Sequence, residues 1–378
     1  MRRLLYVVAG RFAAVTGSIV YARRILGELP ALGWEATAAE FEIPGPEPSA
    51  AAVKEAAALL ARAPDGSAVV LDGETLPAFL PSLAAHAGRL RLVALLHHSL
   101  AAETGLDAAT SERFRAIETA ALRAVRTVIC PSRMTADTVA GYGVADARIA
   151  IVRPGLDRIP SPPLWGGEGQ GEVGSAQPVP TAHLTLPLRG SLPLPPEGRR
   201  GCVRLLAIGS VIPRKGHALL VEALGGLKDL DWRLTIVGSL DRDAGATAAL
   251  RHAITAGGVG DRVTLADGHP PERMADYYAA ADLFVLASFH EGYGMVYAEA
   301  MAYGLPVIAT AAGAVPEVVP PAAGALVPPG DRAALQAALR RLIADGELRQ
   351  RCAAAALAHA RTFPEWHESA ARFAAALV

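Results

Sequence analysis

Two glutamates frame the stretch of the chain best suited to chemistry, EGYGMVYAE from Glu291 to Glu299. Gly292 and Gly294 lie between them, and the apolar run AMA, then Tyr303, Gly304 and Pro306, follows. The preceding DLFVLAS, Asp282 to Ser288, reads as a buried parallel strand. The residues after Gly294 fit a short helix; Gly304 suits the position just past its end, and Pro306 stops it. A strand entering a glycine loop that opens a helix aims backbone N–H groups and a positive dipole end at one spot, which suits a phosphate. Glu291 in the loop and Glu299 in the helix then meet hydroxyls, one close to the phosphate and one further off. A diphosphate flanked by two polyols is a nucleotide sugar.

A second constellation is GSVIPRKGHALLVEAL, beginning at Gly209. A strand ends at Gly209–Ser210, Arg214 and Lys215 follow, and Gly216 opens the next helix. Two cations at a helix N-terminus, beside the carboxyl edge of a strand, make a diphosphate clamp. They add positive charge where a leaving nucleoside diphosphate gathers negative charge. Alone, an Arg-Lys turn is more often solvated surface, and a lone glutamate pair is an ordinary feature of a strand–loop–helix unit. Their joint presence favours the site.

These two motifs resemble the donor domain of retaining glycosyltransferases of family 4, also called group 1, which have the GT-B fold. The resemblance covers the whole chain except residues 158–202 and is strongest from Val203 to Leu342. It implies an α/β architecture of two Rossmann-like domains with a cleft between them. It implies transfer of a hexose from a nucleotide diphosphate sugar to an acceptor on the first domain. Carried over residue by residue, Arg214 and Lys215 stabilise the departing diphosphate, Glu291 bonds donor-sugar hydroxyls and Glu299 holds the ribose. Backbone groups of Gly292, Tyr293, Gly294, Met295 and Val296 hold sugar and phosphate. Gly238, closing TIVGS, and His269, within the strand-end sequence ADGH, face the cleft by the carboxyl-edge rule for such sheets, as does Gly209.

In the first half, Thr16–Gly17–Ser18 stands where the family has a glycine-rich loop that closes on the donor phosphate. Ser18 replaces the second glycine, which weakens the match at Gly17. HHSLAAETG begins at His97 after the strand RLVALL. The resemblance places a histidine there against the donor sugar; His98 is preferred to His97 because it lies later on the loop. Glu103 and the strand-end Asp72–Gly73–Glu74 are candidates for the acceptor side. Arg214, Lys215, Glu291 and His98 are thus the candidate catalytic residues. No His/Cys cluster of ligand spacing is present, and the resemblance implies that cations and helix dipoles stand in for a metal. No metal or other cofactor is expected.

The elements needed to position these groups are written along the chain. Of 378 residues, 52% are hydrophobic and 19% charged, with a net charge of −1. That is enough for two cores and carries no basic excess that points to nucleic acid. Cys130, Cys202 and Cys352 are far apart, match no zinc or CxxC spacing, and read as unpaired thiols in a reducing compartment. MRRLLYVVAGRF imitates a signal peptide, but Arg11 interrupts the run and Tyr6, Val7 and Val8 favour a strand. No run reaches the ~18 apolar residues of a membrane span. A cytoplasmic protein is expected, with peripheral membrane contact left open.

Strand candidates LLYVVAG, 68–73, 91–98, 127–132 and 149–155 alternate with helices at 19–33, 55–63 and 111–125. Strands 203–210 and 232–239, then VTLADG, DLFVLAS and PVIATA, alternate with helices at 217–227 and 244–258. Three closing helices run from Arg332 onward. This βαβ rhythm predicts parallel, doubly wound sheets. The expected units are 1–157 for acceptor, 158–202 as an inserted linker, 203–360 for donor, and 361–378 as a helix crossing back. The insertion is rich in Pro and Gly, lacks a sustained apolar period, and is expected to be an exposed loop; a Pro-rich partner ligand is the alternative. Two rival functions share the donor site, a nucleotide-sugar epimerase and a catalytically silent binding module.

Overall fold

The computed structural model describes residues 2–14, 16–42, 47–157, 201–267 and 273–378. The insertion expected at 158–202 lies outside the described residues, apart from Gly201 and Cys202, and so does His269.

The first half runs β1 (Arg2–Ala9), α1 (Gly17–Glu28), β2 (Trp34–Phe41), α2 (Ala50–Arg62), β3 (Ala68–Asp72), α3 (Leu76–His86), β4 (Arg91–Leu95), α4 (Ala108–Ala124), β5 (Thr127–Cys130), α5 (Arg133–Gly141) and β6 (Ile149–Ile151). All strand pairs are parallel, in the order β2-β1-β3-β4-β5-β6. The central strands are apolar on both faces because helices cover both. In β1, Val7 joins one core with Val69 and Leu71, while its neighbours Tyr6 and Val8 join another with Val70 and Phe373. Successive residues of a strand point to opposite faces, so one strand feeds two cores.

The second half runs β7 (Val203–Ile208), α6 (His217–Gly225), β8 (Trp232–Val237), α7 (Ala244–Gly257), β9 (Val263–Ala266), α8 (Met274–Ala280), β10 (Leu283–Leu286), α9 (Met295–Ala302), β11 (Val307–Thr310), α10 (Val315–Val318), β12 (Gly324–Val327), α11 (Arg332–Ala344), α12 (Gly346–Ala360) and α13 (Trp366–Ala376). Its parallel sheet has the order β12-β11-β10-β7-β8-β9. The order reverses between β7 and β10, which makes a crevice beyond their carboxyl ends, where such sheets bind ligands. β10 is buried throughout: Leu283 and Val285 enter one core, Phe284 and Leu286 the other.

The last helix returns to the first sheet. Trp366, Ala370, Phe373 and Leu377 of the α13 segment pack with Tyr6, Tyr21, Ile25 and Trp34. Phe373 stacks on Tyr6 with ring centroids 6.2 Å apart. The crossing is fixed where Leu156 N donates to Pro364 O at 2.9 Å. A Cβ on Gly155 would stand 2.4 Å from Trp366 Cα, so only glycine permits the approach.

Phe373 is fully buried. Phe373→Ala removes that packing and leaves a cavity, an expected loss of about 3–5 kcal/mol. Urea unfolding followed by circular dichroism checks it; a loss below about 1 kcal/mol means that α13 is not part of the first core.

Candidate active site

The site is built at the reversal between β7 and β10. After β7 the chain passes Gly209 and folds into a tight turn at Pro213–Lys215, capped by Gly216 at φ 65°. A Cβ on Gly216 would lie 2.1 Å from Ala287 O, so glycine lets this turn press against the end of β10. Phe289 N donates to Arg214 O at 2.7 Å and locks the two loops. The Lys215 stem lies along Gly209, whose ideal Cβ would meet Lys215 Cδ and Cε at 3.3 Å. Gly238, at the end of β8, lies against Gly209, with its ideal Cβ 2.1 Å from Gly209 O.

Glu291 is held from both sides. Its backbone O accepts from Ala314 N at 2.8 Å. Its side chain is 7% exposed. Oε1 accepts from Lys215 Nζ and from Ser288 Oγ, both at 2.6 Å. Oε2 lies 3.6 Å from Arg214 Nη1. Burial pushes this carboxyl up, but Lys215 and Arg214 outweigh burial and hold it below the ordinary value. Arg214 Nη1 also donates to His290 O at 2.9 Å.

Helix α9 starts as the sequence predicts, with Gly294 as its N-cap. The first N–H groups of a helix need partners from outside it, so Met295 and Val296 offer donors at the mouth of the crevice. Met295 packs against cores of both sheets. Glu299 accepts from Tyr278 Oη at 2.6 Å through Oε2, and Tyr278 stacks on Tyr303 at 5.1 Å. Glu299 Oε1 takes no hydrogen bond among the described residues. Burial raises the Glu299 carboxyl, against the opposing pull of the Tyr278 bond and the Arg24 charge.

The first domain closes directly on this loop. A Cβ on Gly292 would stand 1.8 Å from His97 O, which leaves room for glycine alone. His97 and His98 part company there. His97 turns inward, 3.8 Å from Asp72 Oδ2 and edge-on to Tyr21, and burial drives its imidazole down to about 3. His98 Nε2 meets Glu103 Oε2 at 3.1 Å, and its ring lies 6.3 Å from that of His290. Glu103 Oε1 reaches Arg214 Nε across the cleft at 3.2 Å. The structure therefore brings together Arg214, Lys215, Glu291, His98 and the 292–296 loop. Gly17 opens α1 with Thr16 as its N-cap, and no hydrogen bond or ion pair among the described residues ties it to the donor loops. Asp72 is buried and caps the turn that follows β3. Among the described residues no group of three His, Cys, Asp or Glu side chains is placed to hold a metal.

Sequence reasoning missed Ser288 and Glu317. Ser288 is visible only as the polar end of a strand. Glu317 on α10 spans the cleft: its two oxygens accept from Arg133 N at 2.9 Å and Met134 N at 2.6 Å, the first turn of α5. Nothing in the local sequence of Glu317 announces this contact.

The model of glycosyl transferases group 1 matches residues 202–359, and that of glycosyltransferase family 4 matches residues 15–158. The chain belongs to this GT-B glycosyltransferase family. It is 36% identical over 240 residues to a D-inositol 3-phosphate glycosyltransferase from Xylanimonas cellulosilytica, covering 62% of this chain and 52% of the relative. A relative of the same name from Streptomyces griseus is 32% identical over 261 residues, 65% of this chain and 52% of its own. The chain spans about half the length of these curated relatives. Sucrose-phosphate synthase from Thermosynechococcus elongatus has the same fold, with a TM-score of 0.75 at 20% identity over 99% of this chain and 98% of its own. HepE from Anabaena, solved with UDP and glucose, gives 0.74 at 17% identity over 99% of both chains.

Glu317 joins the halves through backbone donors at a helix N-terminus, a contact of the size of an N-cap bond. Glu317→Ala is expected to speed hydrogen exchange at the amides of Arg133 and Met134 by about tenfold, equivalent to roughly 1.4 kcal/mol. Unchanged protection at both amides contradicts the contact.

Proposed function

We propose that the protein is a retaining glycosyltransferase that moves a hexose from a nucleotide diphosphate sugar to an acceptor bound by the first domain. The observation that carries this reading is the Arg214–Lys215–Glu291 cluster at the strand-order reversal, facing His98 across the cleft. Arg214 and Lys215 take the diphosphate, and the N-terminus of α9 adds its dipole. Lys215, paired with Glu291, turns to a phosphate oxygen when the donor arrives. Glu291 keeps Ser288 and uses its remaining lone pairs on sugar hydroxyls. Glu299 offers Oε1 to the ribose, while Tyr278 holds Oε2.

In the transfer step the bond from the anomeric carbon to the diphosphate oxygen breaks and the bond to the acceptor oxygen forms. The acceptor proton passes to the leaving phosphate oxygen on the same face, which preserves configuration without a protein base. The developing charge on the diphosphate is met by two cations already fixed in a crevice largely closed to water, where preorganised charge is most effective. We read the donor site as working through these cations, with no metal. Relatives named for D-inositol 3-phosphate, and HepE solved with UDP and glucose, support a sugar-nucleotide donor and a hydroxyl acceptor. Incubation with UDP-, GDP- and ADP-sugars in the absence of acceptor separates slow hydrolysis, expected here, from conversion to an epimeric donor.

Lys215→Ala is expected to reduce transfer by about 2–4 kcal/mol of transition-state stabilisation while the fold is retained. Turnover near that of the parent protein contradicts the clamp. Glu299→Ala is expected to weaken nucleoside diphosphate binding by about 1.5–3 kcal/mol, the range of charged hydrogen bonds. Calorimetry showing equal affinity removes the ribose role.

A further inference from the structure

The cleft balances its own charge across the domain boundary. Two cations, Arg214 and Lys215, face two carboxylates, Glu291 and Glu103. Lys215 and Glu291 come from the same domain and are joined by a hydrogen bond of 2.6 Å. Arg214 and Glu103 come from different domains and differ in kind. Glu103 Oε1 stands 3.2 Å from Arg214 Nε, yet that buried Nε makes no hydrogen bond among the described residues. The contact is a charge pair without hydrogen-bond geometry, and it leaves one N–H of the guanidinium unspent. Buried donors are normally satisfied, so this N–H is the guanidinium group best suited to a further acceptor oxygen.

Glu103 has a second place to go. Its other oxygen already meets His98 Nε2 at 3.1 Å. The loop beneath it is anchored independently of Arg214: the fully buried Glu118 accepts from Ser99 Oγ at 2.6 Å and Leu100 N at 2.7 Å. Ser99 Oγ also lies 2.6 Å from Tyr142 Oη. Glu103 Oε1 also accepts from Thr104 N at 3.2 Å, a neighbour on the same loop, so the Glu103 side chain can leave Arg214 by rotating its own bonds while His98 and Thr104 keep it, with the loop base unmoved.

We propose that Glu103 is a positioning residue that acts through Arg214: a displaceable anion that pairs with Arg214 across the cleft and is exchanged for the donor diphosphate. This rests on the donor-site reading above. The carboxylate supplies Arg214 with the negative charge that the diphosphate supplies later. A bound diphosphate repels Glu103 from Arg214 and leaves it on His98 and on Thr104, whose N donates to Glu103 Oε1 at 3.2 Å. Burial opposes ionisation of Glu103, but the His98 bond and the Arg214 charge bring it down to about 2, so it is charged at any working pH. The exchange therefore costs the donor part of its attraction for Arg214. It makes a single side chain of the acceptor domain sensitive to whether the donor site is filled.

The test is calorimetric titration of the full chain with UDP, GDP and ADP at fixed salt, for the parent protein, Glu103→Gln and Glu103→Asp. The glutamine variant removes the competing charge and keeps the shape. It is expected to bind the preferred nucleoside diphosphate about three- to tenfold more tightly, roughly 0.6–1.4 kcal/mol. Glu103→Asp keeps the charge and is expected to bind like the parent. A role limited to holding the loop predicts the reverse, weaker binding in Glu103→Gln. Equal or weaker binding by a folded Glu103→Gln overturns the proposal. Glu103→Ser replaces the glutamine variant if that one does not fold. If no nucleoside diphosphate binds the parent protein, the donor-site reading itself falls; if one does and Glu103→Gln gains nothing, only the exchange falls.

Discussion

The ion pair between Lys215 and Glu291 governs the architecture of the cleft. Its charged atoms are 2.6 Å apart, and Glu291 is buried. Neither charge would be tolerated there alone, because a buried charge without its partner is strongly destabilising. The two loops must therefore arrive together, and the backbone is shaped to bring them. Gly216 lets the Lys215 turn touch the end of β10. Gly313, at φ 58°, lets the chain after β11 close on the backbone of Glu291, since its ideal Cβ would stand 2.2 Å from Glu291 O. Ser288 completes the carboxylate shell from the strand itself. With Ser288 and Arg214 beside it, Glu291 keeps partners if Lys215 turns to a more highly charged anion.

The first domain completes this arrangement through short, mostly polar contacts. His97 O packs on Gly292, Glu103 reaches Arg214, Thr135 Oγ1 reaches Gly292 O at 3.4 Å, and Glu317 reaches back to α5. These contacts involve backbone, helix ends and single charges, not a broad apolar face. Such an interface separates and re-forms at modest cost. That behaviour suits a site that must admit a donor and an acceptor and then exclude water.

Much of this was legible in the sequence, for physical reasons that differ from place to place. β10 and the loop after it are readable because a run buried on both faces must be apolar throughout, and because Gly294 and Gly304 punctuate a helix at both ends. The Arg214–Lys215 turn is readable because glycines flank it at a strand end. β2 was not read: WEATAAEF lies at the sheet edge and is half-exposed, so alanine and glutamate replace the branched residues that mark a strand. α3 was not read because Pro77 and Pro81 interrupt a segment that is apolar nearly all round. The choice between His97 and His98 required the position of Asp72, and the role of Glu317 required the position of α5. Both depend on residues distant in sequence, which local pattern does not encode.

We propose that Arg214 and Lys215 hold the donor diphosphate at the strand-order reversal and are re-paired from Glu103 and Glu291 when it binds. A crystal structure of the full chain with its preferred nucleoside diphosphate tests this most directly. Phosphate oxygens are expected within hydrogen-bonding distance of Arg214 Nε and Lys215 Nζ, with the Glu103 carboxylate withdrawn from Arg214 and still on His98. A nucleotide bound elsewhere, or bound here with both cations still paired to Glu103 and Glu291, would contradict it.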